Sequence, residues 1–222
     1  MDWQPLQTSV PGEYSTSFLQ QGALNGFALR QPGVDTRVDR ALAVERLTPL
    51  HQIFQREIGL RDYSLCQAEQ VHGDSVAILT EPSQRMSPGA DALITQHPAI
   101  ALGIYVADCC AVFVLDPKKR VIGLAHSGAK GTRLGIVPRM LESMQGHFGC
   151  NPADLTVALS PCIRPPFYEV DFAETIRSQC RDFGVASLSD AGLCTAAHVD
   201  RYYSYRREMG KTGRMLALLG LR

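Results

Sequence analysis

Apolar positions change period along this chain, and each change predicts an element. Between positions 74 and 125, short aliphatic or β-branched runs occupy 76–79, 92–95, 100–106, 111–115 and 121–125, parted by turn residues of which Asp116-Pro117 is the clearest. Several are apolar at consecutive positions, as strands buried on both faces are. Before them, Thr48 and Pro49 read as a hydroxyl cap and a first helical residue, opening a helix with Leu50, Ile53, Phe54 and Ile58 on one face and Gly59 as its stop. After Gly131, a helix is expected to about position 147, with Ile136, Met140, Leu141, Met144 and Phe148 on its buried face, Pro138 in its first turn and Gly149 as its stop. A strand over 155–159, a helix over 172–183 and a terminal helix over 212–219, introduced by Gly210 and the Thr212 hydroxyl, complete the reading. Positions 1–37, rich in Gln, Gly, Ser and Pro, read as an irregular lead-in holding one or two strands. Strands and helices mix without strict alternation, which predicts an α+β fold with mixed β-sheets.

Length and charge narrow the function classes. The 222 residues suffice for one sizeable core, and we expect one domain over 1–222. Lys plus Arg equals Asp plus Glu at 22 each, so no charge excess points to nucleic acid or to a membrane surface. The first twelve residues lack an apolar core of the secretory type, and no run approaches a membrane span. Seven cysteines without a regular spacing fit a reducing compartment, so a cytoplasmic location is expected.

Three soft-ligand positions stand in short motifs: His72 in Gln70-Val71-His72-Gly73, Cys109 in Ala107-Asp108-Cys109, and His126 in Ala125-His126-Ser127-Gly128. Two imidazoles and a thiolate can hold a zinc ion and leave its fourth tetrahedral position open, the pattern of a catalytic site. The separations are too long for a zinc finger and suit a site assembled from several strands. Taken singly, each residue also has a plain reading: His72 a turn residue, His126 a strand-end histidine bonded to a carbonyl, Cys109 and Cys110 small buried hydrophobes. Asp108 is placed to hydrogen-bond a metal ligand, or is an ordinary strand-end acid. The turn Ser127-Gly128-Ala129-Lys130-Gly131-Thr132 offers backbone N–H groups and the Lys130 charge to an anion, or merely joins a strand to a helix. Arg206, Arg207 and Arg214 gather near Gly210 and Gly213, suited to phosphate or carboxylate, or forming a solvated patch that Glu208 partly neutralises.

In order along the chain, Gln70-Val71-His72-Gly73, Ala90-Asp91-Ala92-Leu93-Ile94-Thr95, Val106-Ala107-Asp108-Cys109, Ala125-His126-Ser127-Gly128, Pro161-Cys162-Ile163, Tyr168-Glu169-Val170, Tyr203-Ser204-Tyr205-Arg206-Arg207 and Thr212-Gly213-Arg214 resemble the laccase-domain family, which carries the labels polyphenol oxidase, purine nucleoside phosphorylase and peptidoglycan editing factor. The resemblance spans roughly residues 60–220. It implies a single-domain fold of mixed β-sheets sandwiched by helices, zinc held by His72, Cys109 and His126, and phosphorolysis of adenosine, inosine, guanosine or methylthioadenosine together with adenosine deamination. The substrates would then be a small nucleoside and phosphate. Asp108 or Glu169 would move the proton, and Lys130 or Arg206 would position phosphate. Copper is disfavoured, because several coppers need many histidines and the chain has six, mostly isolated. The chain departs from the family where Ser127-Gly128-Ala129-Lys130-Gly131 replaces the usual Ala-Gly-Trp-Arg-Gly, and where Arg164-Pro165-Pro166-Phe167 precedes Tyr168-Glu169-Val170 in place of Gly-Pro-Cys-Cys. Two other classes use the same residues. One is a metal-free cysteine hydrolase, with Cys109 activated by His126, acting on cell-wall precursors; the other is a non-catalytic binding or editing factor.

Overall fold

The computed structural model describes residues 2–222. The segment expected to be an irregular lead-in is more regular than its composition suggests. It supplies β1 (Trp3–Pro5), β2 (Gly12–Ser15), α1 (Thr16–Gln20) and β3 (Ala23–Ala28). Next come α2 (Arg40–Gln55), β4 (Ser64–Ala68), β5 (Val76–Ile78), β6 (Met86–Ser87), β7 (Ala92–Thr95), β8 (Ile100–Val106), β9 (Cys110–Asp116) and β10 (Val121–Ser127). The chain continues through α3 (Ala129–Leu134), α4 (Ile136–Phe148), β11 (Thr156–Leu159), α5 (Phe172–Phe183), β12 (Ser187–Asp190) and β13 (Met215–Leu221).

These strands form two mixed sheets, one ordered β1-β2-β3-β13-β8-β4-β6 and the other β12-β11-β9-β10-β7-β5. Strand alternation divides their side chains between cores. Leu102 and Ile104 of β8, Ala217 and Leu219 of β13, Phe113 and Leu115 of β9 and Leu124 of β10 meet between the sheets. Leu216 and Leu218 face the opposite way, onto Phe54 of α2. Val112 and Val114 face Met140, Met144 and Ile176 of α4 and α5. This is the expected α+β arrangement of mixed sheets between helices, and both faces of β8, β9 and β10 are buried as predicted. No helix among the described residues is long and apolar enough to cross a membrane.

Three element expectations are corrected. The segment 212–219 is no helix: Met215–Leu221 is a strand lying between β3 and β8, buried at every residue. Its Leu-rich composition favours a helix in isolation, but two neighbouring strands supply its backbone partners and tertiary packing overrides propensity. The helix around Pro49 starts at Arg40, where the Asp39 carboxylate accepts from the Leu42 amide, and Pro49 lies inside it. Its buried face is Ala43, Leu47, His51 and Phe54, so the Thr48 hydroxyl is no cap and donates to the Val44 carbonyl instead. The helix expected after Gly131 is two, α3 and α4, parted by Gly135 at φ 83°. A left-handed residue cannot continue a right-handed helix.

Candidate functional site

Two of the three sulfur and imidazole positions lie where the chain passes from one sheet to the other. His72 is on the connection from β4 to β5, and Cys109 on the connection from β8 to β9. His126 is on β10, opposite Ala111 in register, so its ring meets the segment that carries Cys109. One ligand atom from each residue comes within 4.8 Å of the others, and this is the one such group of three His, Cys, Asp or Glu side chains among the described residues. The two imidazole rings stand 4.7 Å apart, edge to face at 79°. His126 is buried, Cys109 half-buried and His72 exposed, so the cluster opens to solvent on the His72 side.

Backbone strain concentrates here. Of five non-glycine residues with positive φ among the described residues, Gln70, His72, Asp108 and Met209 line one cavity of about 970 Å³ around the cluster. Each such residue costs about 1–3 kcal/mol and persists only when its surroundings hold it. The holding groups are visible. Asp91, fully buried, accepts from the amides of Val71 at 3.1 Å, His72 at 3.0 Å and Gly73 at 2.7 Å, and from Nδ1 of His126 at 2.8 Å. The Gln70 side chain donates to the Tyr105 carbonyl at 2.6 Å and accepts from its amide at 3.0 Å, pinning the same turn to β8. Asp108 accepts from the Thr195 hydroxyl and from the Arg206 amide, both at 2.7 Å.

The electrostatics follow from this packing. Burial tends to raise the Cys109 thiol, but His126 and then His72 outweigh it and hold the thiol below its ordinary range. Burial tends to lower His126, and the Cys109 sulfur and the Asp91 carboxylate outweigh it in the other direction. The pair therefore favours a thiolate, the form of cysteine that binds metal or attacks an electrophile. Gly128 leaves room for that sulfur, since a Cβ built there would stand 2.5 Å from Cys109 Sγ.

The donor set fits a metal. Ligand atoms on one tetrahedral zinc lie roughly 3–4 Å apart, given bonds of about 2.0–2.3 Å, so small side-chain shifts would bring His72, Cys109 and His126 into range. His126 also carries the carboxylate partner that metal-binding histidines usually have. That partner is Asp91 and not Asp108, whose oxygens go to Thr195 and Arg206. Sequence reasoning quoted Asp91 only within its motif; an acid directly ahead of a buried strand was the available signal. Cys110 points away, fully buried against Ser160 and Cys162.

The remaining expected residues surround the cavity unevenly. Asp108, Lys130 and Arg206 line it. Glu169 stands outside the lining and pairs with the Arg206 guanidinium at 2.9 Å. Glu208 does not neutralise the arginine cluster: it pairs with Arg30 at 2.6 Å and accepts from the Ser204 amide. Tyr168, with the Arg206 guanidinium 5.0 Å from its ring centroid, and Tyr205 and Phe172 give the cavity an aromatic wall.

Comparison with known proteins bears on the family and the fold. A family model described as multi-copper polyphenol oxidoreductase laccase matches residues 35–175 and 168–222. A purine nucleoside phosphorylase of Deinococcus radiodurans is 33% identical over 193 residues, covering 74% of this chain and 73% of the relative. The purine nucleoside phosphorylase YlmD of Bacillus subtilis is 28% identical over 194 residues, covering 70% of each chain. The crystal structure of YlmD from Geobacillus stearothermophilus superposes with a TM-score of 0.84 at 25% identity, over 100% of this chain and 99% of that one. With the ordered motifs, the two-sheet fold and the match over most of its length, the chain belongs to the family of the multi-copper polyphenol oxidoreductase laccase model.

Proposed function

We propose that this chain is a zinc enzyme of purine nucleosides, carrying out phosphorolysis of adenosine, inosine, guanosine or methylthioadenosine and deamination of adenosine. The observation that carries this reading is the junction of the His72, Cys109 and His126 donors with a cavity that has both aromatic and cationic walls. Relatives named purine nucleoside phosphorylase support the phosphorolytic half. Zinc, held by those three residues, would supply Lewis acidity at an open coordination position. One such cluster among the described residues, with two histidines in it, supports one zinc over a set of coppers.

The chain's own residues have definable parts. Tyr168, Tyr205 and Phe172 offer ring faces and edges to a purine. Lys130, exposed at the cavity, and Arg206 draw an anionic co-substrate towards it. In phosphorolysis a phosphate oxygen bonds to C1′ of the ribose as the C1′–N9 bond breaks, and the base leaves with a proton. Asp108, on the cavity wall, would handle that proton, and Glu169, outside the lining, would act only through the Arg206 guanidinium it holds. In deamination water adds at C6 of the purine and ammonia leaves. Shared burial between the two sheets supports one domain over the chain, and seven free cysteines support a reducing, cytoplasmic setting. Purified, zinc-replete protein is to be incubated with inosine plus phosphate, and separately with adenosine. Hypoxanthine with ribose 1-phosphate, and ammonia, are the expected products; none of them from protein that retains its zinc would sink the reading.

A second reading has one observation in its favour. Cys109, His126 and Asp91 are linked in series, the order of a nucleophile, base and orienting acid. A cysteine hydrolase of this kind needs no His72. Metal analysis of His72→Ala separates the two: activity retained without zinc favours the hydrolase.

A further inference from the structure

The cavity that holds the proposed metal ligands also contains a guanidinium with no salt-bridge partner. Arg214 is 8% exposed, and its Nη1 donates to the Thr212 and Gly213 carbonyls at 2.8 and 2.9 Å. No ion pair among the described residues includes it. Its Nε and Nη2 are neither hydrogen-bonded nor sealed off from solvent, so they are left for whatever enters the cavity. A buried cation held only by backbone carbonyls is costly unless a further partner completes it.

The geometry around Arg214 is built. A Cβ at Gly213 would lie 2.5 Å from the Tyr203 ring, so glycine is what allows that ring to pack beneath the turn. The guanidinium then lies 5.9 Å from the centroid of the Tyr205 ring. Arg40, the first residue of α2, lines the same cavity, is exposed and has no ion pair. The neighbouring carboxylate, Asp39, also lines the cavity; one of its oxygens accepts from the Leu42 amide, and it makes no ion pair with either arginine. Burial and then the charge of Arg40 push Arg214 below its ordinary range, while Tyr205, Cys109 and Asp108 act in the other direction. Arg214 and Arg40 thus share one recess with Lys130, Arg206 and Lys211. Arg206 is differently placed, because its guanidinium already has Glu169.

We propose that Arg214 and Arg40 form an oxyanion seat in this cavity and that its occupant is inorganic phosphate, the co-substrate of the reaction assigned above, on which this identification of the occupant rests. The fork of Arg214 gives the direction of approach, and Arg40 closes the seat from the helix side.

The experiment is titration of zinc-loaded protein with inorganic phosphate by calorimetry, for wild type, Arg40→Ala and Arg214→Lys, followed by steady-state rates with phosphate varied at saturating inosine. Arg214→Lys keeps the charge and loses the fork; Arg40→Ala touches an exposed side chain and leaves the fold intact. Each is expected to raise the phosphate Kd about tenfold, the effect of losing one charge-assisted hydrogen bond, with zinc content and circular dichroism unchanged. A phosphate Kd within twofold of wild type in both folded variants overturns the seat, as does wild-type protein that binds no phosphate. Phosphate binding that depends on both arginines, in protein that cleaves no nucleoside, would keep the seat and remove the proposed reaction. Phosphorolysis whose phosphate KM ignores both arginines would remove the seat alone.

Discussion

Asp91 and His126 are joined twice, by a 2.8 Å contact between the Asp91 carboxylate and His126 Nδ1 and by a 2.8 Å hydrogen bond from the His126 amide to the Asp91 carbonyl. The same carboxylate holds the amides of residues 71–73, so one side chain orients two of the three proposed metal ligands. Asp91→Asn keeps the shape and removes the charge. Metal affinity should fall about 10- to 100-fold, measured by competition with a chromophoric chelator. An unchanged affinity would show that Asp91 serves the turn alone.

Gly128 is predicted to be intolerant of even a methyl group. In Gly128→Ala the added Cβ displaces the Cys109 sulfur, 2.5 Å away, because the backbone of α3 fixes its position. Bound zinc should be lost while far-ultraviolet circular dichroism stays that of the native fold. Full metal occupancy in this variant would mean that the sulfur is free to move and is not cradled.

The adjacent cysteines should behave oppositely. Cys109→Ala and His72→Ala are expected to lose zinc. Cys110→Ala is expected to retain it and to lose only about 1 kcal/mol of stability, the scale of a small buried deletion, since its thiol faces Ser160 and Cys162. Zinc content by mass spectrometry decides; metal loss from Cys110→Ala alone would reverse the assignment.

His51 makes stability depend on pH. It is buried on α2, neither ring nitrogen has a partner, and burial lowers its pKa to about 4 from 6.5. The unfolded chain therefore takes up a proton first, so this contribution is fully present above about pH 6.5, declines as pH falls and is gone once pH passes through about 4. The span is worth roughly 3 kcal/mol. His51→Leu should flatten the loss in urea-unfolding free energy between pH 7 and pH 5. An identical slope in the variant would assign the acid sensitivity to other groups.

Much of the architecture was legible because its signals are local. The helix over 172–183 carries its own start in the Asp171 carboxylate, which accepts from the Glu174 amide, and its own stop in Gly184 at φ 94°. Strands β7 and β8 match the apolar runs that predict them, and Gly149 ends α4 as expected. Residues 215–221 were not legible in this way, because seven consecutive apolar residues satisfy a buried helix and a buried strand equally. Their partners on β3 and β8 are about 200 and 110 positions away in sequence.

The sequence by itself marked His72, Cys109 and His126 as candidate metal ligands, in motifs whose order marks the family. Tertiary structure decided that their ligand atoms meet, that Cys109 and not Cys110 faces the cavity, that Asp91 and not Asp108 orients His126, and that Arg214 is left without a salt-bridge partner. The physical reason is that each of these relations joins segments lying on different strands or sheets. Strand pairing and burial bring such segments together, and spacing along the chain does not encode where they meet.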